Sequence, residues 1–182
     1  MECRIAGIYG SLRRDSCNKK LILRAQQLCA EHVPKARIDI IDWSQLPVFN
    51  QDLEEDPPNS VLKLKEEIGN CDAILFSTPG PLKNAIDWAS RTRIGNRGDV
   101  LSKKPVAVIS TCSSGTGSVQ TVLNQILIAL NMITVDTPSI MLSGAYKTFQ
   151  EDGSLKSKEI EEKIVKLLND LVILNKRLKD KF

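Results

Sequence analysis

Cys3-Arg4-Ile5-Ala6-Gly7-Ile8-Tyr9-Gly10-Ser11-Leu12-Arg13-Arg14-Asp15-Ser16-Cys17-Asn18 decides the fold. The run to Tyr9 is apolar, carries β-branched residues and stops at Gly10; beyond a polar loop, Leu21, Ala25, Leu28 and Cys29 recur at helical spacing. The stretch reads as strand, loop, helix, and the alternation continues outward. Ile38, Ile40 and Ile41 make a second strand. After Pro57-Pro58, a helix marked by Val61, Leu64 and Ile68 can take Ser60 as its cap. Ala73 to Ser77 is a third strand, Leu82 to Ser90 a helix and Pro105 to Ser110 a fourth strand. Val119, Leu123, Ile126, Leu127 and Leu130 then form an apolar helix face, with Ser118 as a possible N-cap. Ile133 to Val135 starts a fifth strand that can resume at Ile140 to Leu142. A last helix follows the Asp152-Gly153 turn, with Ile160, Ile164, Leu167, Leu171, Leu174 and Leu178 on one face.

Five strands alternating with five helices predict an α/β fold with a parallel sheet covered on both faces. Ligands of such sheets sit beyond the carboxyl ends of the strands, so the loops after Tyr9, Ser77 and Ser110 are the candidates. The 182 residues suit one domain, 1–182. The net charge of +3 is spread along the chain, which argues against dedicated nucleic-acid binding. Apolar residues at 42% and charged residues at 26% exclude disorder and fibrous structure. No apolar run is long enough to span a bilayer and the start lacks the apolar region of a signal peptide, so no membrane partner and a cytoplasmic location are expected. Cys3, Cys17, Cys29, Cys71 and Cys112 are odd in number and form no C-x-x-C pair, which points to reduced thiols rather than disulfides or zinc. His32, the single histidine, falls at the far end of the first helix, away from the candidate loops.

The loop from Gly10 to Asn18 offers an anion the free amides of a helix start, the hydroxyls of Ser11 and Ser16, the Asn18 amide and the Arg13 guanidinium. The same residues also suit an ordinary capped helix with solvated arginines. The loop is neither G-x-x-x-x-G-K-[ST] nor G-x-G-x-x-G, so the nucleoside triphosphate and dinucleotide fingerprints are absent. Cys17, at a helix start beside arginines, sits where a thiolate is favoured.

The string G-S-L-R-x-x-S-x-N at Gly10 to Asn18 resembles the phosphate loop of the NADPH-dependent FMN reductase family, the flavodoxin-like flavoproteins that include azoreductases and quinone or chromate reductases. Leu46-Pro47-Val48-Phe49-Asn50-Gln51-Asp52 is similar to the family's L-P-x-[FY]-[ND] loop. Leu82-Lys83-Asn84-Ala85-Ile86-Asp87-Trp88 matches its L-K-N-A-I-D-W helix. The resemblance implies a flavodoxin-like three-layer sandwich with strand order 2-1-3-4-5, and the cofactors FMN and NADPH or NADH. It implies that hydride passes through the flavin to FMN, a quinone, an azo compound or a metal oxyanion. By resemblance Ser11, Arg13, Ser16 and Asn18 hold the FMN phosphate, with Cys17 between them. Thr78 and Pro79 of the second loop are placed with the cofactor, and the small residues Ser113, Ser114 and Gly115 of the third suit either the edge of its ring or a flexible polar linker.

One departure stands out. Where the family reads T-P-E-Y-N-x-S-x-P-G before the L-K-N helix, this chain passes from Thr78-Pro79 to Gly80-Pro81, about seven residues shorter. This is either a true deletion or a mobile loop that the gene encodes and this sequence omits, and the matching flanks lean toward the second. The shortening also keeps an alternative open, a binding or regulatory protein on the same fold with weakened or lost flavin binding. The resemblance further implies a homodimer or homotetramer through the surface around Leu82 to Arg93, with Trp88 either an interface anchor or packed on the sheet. Arg91, Arg93 and Arg97 could meet the adenosine phosphate of NADPH or form a solvated basic loop.

Overall fold

The computed structural model describes residues 2–78, 80–95, 98–112 and 117–180. Five strands, β1 (Cys3–Tyr9), β2 (Ala36–Ile40), β3 (Ala73–Thr78), β4 (Pro105–Cys112) and β5 (Ile133–Ser143), pair in the order β2-β1-β3-β4-β5. All four pairings are parallel, as the alternating pattern requires. The helices are α1 (Cys17–His32), α2 (Asn59–Gly69), α3 (Leu82–Ser90), α4 (Gly117–Ala129), the four-residue α5 (Ala145–Thr148) and α6 (Lys158–Lys179), with a 3-10 turn at Gln51–Glu54.

The sheet separates two apolar cores. On one face α1 and α6 bring Leu21, Ile22, Leu28, Ile164, Leu167 and Leu171 onto Ile5, Leu75, Ala107 and Ile109. On the other, Val61, Leu64 and Ile68 of α2, Ile86 and Trp88 of α3 and Leu127 of α4 cover Ile8, Ile74, Phe76 and Val106. Alternate residues of β1 and β3 serve opposite cores, which is why these strands read as unbroken apolar runs.

Several expectations need correction. Ser60 does not cap α2: the helix begins at Asn59, and the Pro58 carbonyl takes the amides of Val61 and Leu62. Ser118 lies inside α4, whose first residue is Gly117. On α6 the fully buried residues are Ile164, Leu167, Leu168, Leu171 and Asn175, while Leu174 and Leu178 are half-buried; the stripe drifts around a 22-residue helix because 3.6 residues per turn do not divide into a seven-residue repeat. β5 is one strand, but its pairing with β4 shifts register between Ala107 and Ile109, whose partners are Val135 and Ile140. Gln120 of α4 bridges this irregularity, donating to the Ser110 hydroxyl at 2.8 Å and the Ile140 carbonyl at 2.9 Å.

The two long family-like strings form one unit. The Asn84 side chain accepts from the Phe49 amide at 2.7 Å and donates to the Pro47 carbonyl at 2.9 Å. Trp88 Nε1 donates to the same carbonyl at 2.9 Å, and the Phe49 ring meets the Trp88 ring edge-on at 4.8 Å. Trp88 is 0% exposed, so it packs within its own chain and is not an interface anchor.

Lys65 is 2% exposed and gives its ammonium to the carbonyls of Ala89, Arg91 and Gly98 at 3.2, 2.6 and 2.7 Å. Burial holds its pKa below the ordinary lysine value. It ties off the end of α3 and the loop behind it. Lys65→Met should therefore lower the free energy of unfolding by about 2 kcal/mol, the scale for three carbonyls losing a charged donor; urea denaturation checks this, and an unchanged midpoint would mean that water replaces the ammonium.

Candidate functional site

The carboxyl ends of β1, β3 and β4 meet the start of α1. Polar side chains here are buried where the sequence pattern would place apolar ones: Ser77 is 0%, Thr78 4%, Ser110 0% and Thr111 1% exposed. Asn18 organises them. Its Nδ2 donates to the Thr111 carbonyl at 3.0 Å, and its Oδ1 accepts from the Thr111 amide at 3.1 Å. Ser77 Oγ donates to the Asn18 carbonyl at 2.9 Å. The second residue of α1 is thus bonded to both neighbouring strand ends.

The loop before it sets exposed donors beside a buried cap. Ser16 is the N-cap of α1, accepting from the Lys19 amide at 3.2 Å, and its own hydroxyl proton remains available. Among the described residues no acceptor takes the amides of Cys17 and Asn18, which open the helix. Ser11 is half-exposed and its Oγ accepts from the Arg13 amide at 3.4 Å. Asp15 is ion-paired with Lys20, which lowers the pKa of its carboxyl, so the one acid of the loop is matched by a base. Arg13 and Arg14 are exposed around it, and the Lys19 ammonium lies 5.4 Å from the centre of the Tyr9 ring. The ensemble is a positively charged helix start with two amides that no acceptor takes among the described residues, suited to a phosphate.

Next to it, Gly80 has φ of +120°, and a Cβ there would lie 1.8 Å from the Gly10 carbonyl oxygen. The Gly10 amide in turn donates to the Ser77 carbonyl at 2.7 Å. Gly80 is therefore held directly against the backbone of the first loop. Beyond Gly80, Thr78, Leu82, Ile86, Val122 and Leu123 line an apolar groove of about 310 Å³ between α3 and α4.

Of the sequence candidates, Ser11, Arg13, Ser16, Cys17, Asn18 and Thr78 come together here. Asn18 differs from expectation, since its side-chain amide is committed to Thr111 in both directions. Cys17 is half-exposed, the first residue of α1. Pro79, Ser113, Ser114, Gly115 and Arg97 lie outside the described residues. Arg91 stacks on the Phe49 ring at 5.1 Å and faces Glu54 at 3.9 Å, so it braces the 49–54 segment rather than standing open for a nucleotide; Arg93 is exposed. His32 is exposed at the other end of α1. Sequence reasoning missed Gln120, Tyr146 and Thr111, whose buried Oγ1 has no hydrogen-bond partner among the described residues.

A family model, NADPH-dependent FMN reductase, matches residues 3–147. An NADPH:quinone oxidoreductase of Arabidopsis thaliana is 35% identical over 190 aligned positions, covering 98% of this chain and 94% of the relative. That span exceeds the 182 residues of this chain, so the relative carries residues that this chain lacks. An NAD(P)H-dependent FMN reductase of Pseudomonas aeruginosa is 33% identical, with 98% of each covered. Among solved structures, FerB, a flavoenzyme NAD(P)H:(acceptor) oxidoreductase from Paracoccus denitrificans, superposes with a TM-score of 0.79 at 28% identity, covering 96% of this chain and 98% of that one.

The contact between the first two loops yields a sharp expectation. Gly80→Ala should destabilise the protein by at least about 2 kcal/mol, since it combines a left-handed backbone with a clash against backbone; a thermal melt coincident with that of the wild type would show that the loops separate freely.

Proposed function

The chain belongs to the NADPH-dependent FMN reductase family, and from that premise we propose that residues 1–182 form one flavin-dependent oxidoreductase domain that reduces quinones, and FMN itself, at the expense of NAD(P)H. The observation that carries this reading is the start of α1, where Ser11, Arg13 and Ser16 lie beside the amides of Cys17 and Asn18, which no acceptor takes among the described residues. These residues fit a phosphate monoester, and they would hold that of FMN. When bound, FMN supplies the hydride acceptor and the one- or two-electron donor. The protein supplies position and exclusion of water. Asn18 keeps the helix start against β3 and β4, and the α3–α4 groove, lined in part by Thr78 and Gly80, gives a flat apolar acceptor somewhere to lie. Neither a histidine nor a pair of carboxylates is needed, because proton and electron chemistry belong to the cofactor.

The short β3–α3 connection gives the ring less wall than the family's fuller loop. It supports FMN as an exchangeable partner rather than a permanently held group. The same groove, with Val122 57% exposed beside it, supports association of two copies through α3 and α4. None of the five cysteines forms a disulfide, which supports the reducing cytoplasm as the compartment; among the described residues no helix is long and apolar enough to cross a membrane.

The purified protein should oxidise NADPH with a quinone acceptor and respond to added FMN. Arg13→Ala should weaken FMN binding by about 1.5 to 3 kcal/mol, the range for a hydrogen bond to a charged group, with flavin fluorescence as the readout. No flavin binding at any concentration would favour a regulatory protein on this fold. Sedimentation at micromolar concentration should show a species larger than one chain; a 20.2 kDa species alone would remove the association.

A further inference from the structure

Tyr146 is the residue of α5 that reaches the site. It is 66% exposed, yet its hydroxyl oxygen accepts from both terminal nitrogens of Arg13, each at 3.2 Å, across 133 positions of sequence. The turn that carries it is fixed from both sides. Gly144, at φ of +70°, accepts from the Lys147 amide at 2.7 Å; beyond the turn, the Lys156 amide donates to Thr148 at 3.0 Å and Phe149 bridges to Leu155. A long solvent-exposed side chain such as Arg13 would otherwise sample many rotamers and lose them on meeting an anion.

The donor count shows what the contact leaves available. A guanidinium has five N–H groups. The phenol oxygen takes one from each terminal nitrogen, and the Asp15 carbonyl lies 3.5 Å from Nη2, which leaves the Nε proton and one on Nη1. Asp15 immediately precedes the N-cap Ser16, so the cation is held beside the start of α1. Because the phenol oxygen accepts from Arg13 on one side, its own proton is directed elsewhere and can be given to a further acceptor.

We propose that Tyr146 is a positioning residue that aims Arg13 at the phosphate group of the flavin, and so makes the chain prefer FMN to the same flavin without phosphate. This rests on the phosphate-site reading above. The test measures the dissociation constants of FMN and riboflavin, by quenching of flavin fluorescence, for the wild type, Tyr146→Phe, Arg13→Ala and the double variant, with thermal melts alongside. Tyr146→Phe should weaken FMN about three- to tenfold, leave riboflavin and the melting temperature unchanged, and have no effect on FMN once Arg13 is alanine. Equal losses for both flavins, an unchanged or tighter FMN, or a full Tyr146 effect in the Arg13→Ala background would overturn the proposal alone. A wild-type protein that binds FMN and riboflavin equally well would overturn the phosphate-site reading, and this proposal with it.

Discussion

The double hydrogen bond between the Asn18 side chain and the backbone of Thr111 is the constraint on which the site depends. An asparagine buried to 7% exposure at the second position of a helix must satisfy an acceptor and two donors without water. The carboxyl end of β4 offers one donor and one acceptor at the right spacing, and Ser77 of β3 adds a hydroxyl. The helix start is thereby fixed in rotation and height, and its first two amides have no acceptor among the described residues. A serine or alanine at this position would leave α1 packed by Leu21, Ile22 and Ala25 but with a loosely set mouth.

Much of this was legible from residue pattern. Apolar runs ending in Gly10, Thr78 and the Thr111 loop gave parallel strands, and the spacing of Leu21, Ala25 and Leu28 gave the helix that follows the first loop. Periodicity cannot tell which face a polar residue turns to, and there the reading went astray. Asn18 suits an anion by type, and its side chain is turned to the Thr111 backbone; Trp88 could be read as an interface anchor and proved to be fully buried. Tyr146 was invisible for a different reason. Its partner lies 133 residues away, and nothing local marks an exposed tyrosine in a four-residue helix as meaningful.

The strings that made the family recognisable do different physical work. Gly10 to Asn18 shapes the mouth. Pro47 to Phe49 and Asn84 to Trp88 bind one another, so their pairing reports how a long loop is pinned to α3 rather than what the chain binds. Lys65 acts similarly at the end of α3, where three carbonyls converge on its ammonium.

The register break in β5 reaches beyond the fold. β5 is the outermost strand next to β4, and an outermost strand ordinarily offers a row of unpaired amides and carbonyls to any passing chain. Here four residues, Asp136 to Ser139, stand between the two paired segments, and among them Pro138 has no amide proton to give and Asp136 carries a charge. A foreign strand can find only short, interrupted stretches to zip against. The β5 margin of the sheet is thus guarded against fibrillar growth.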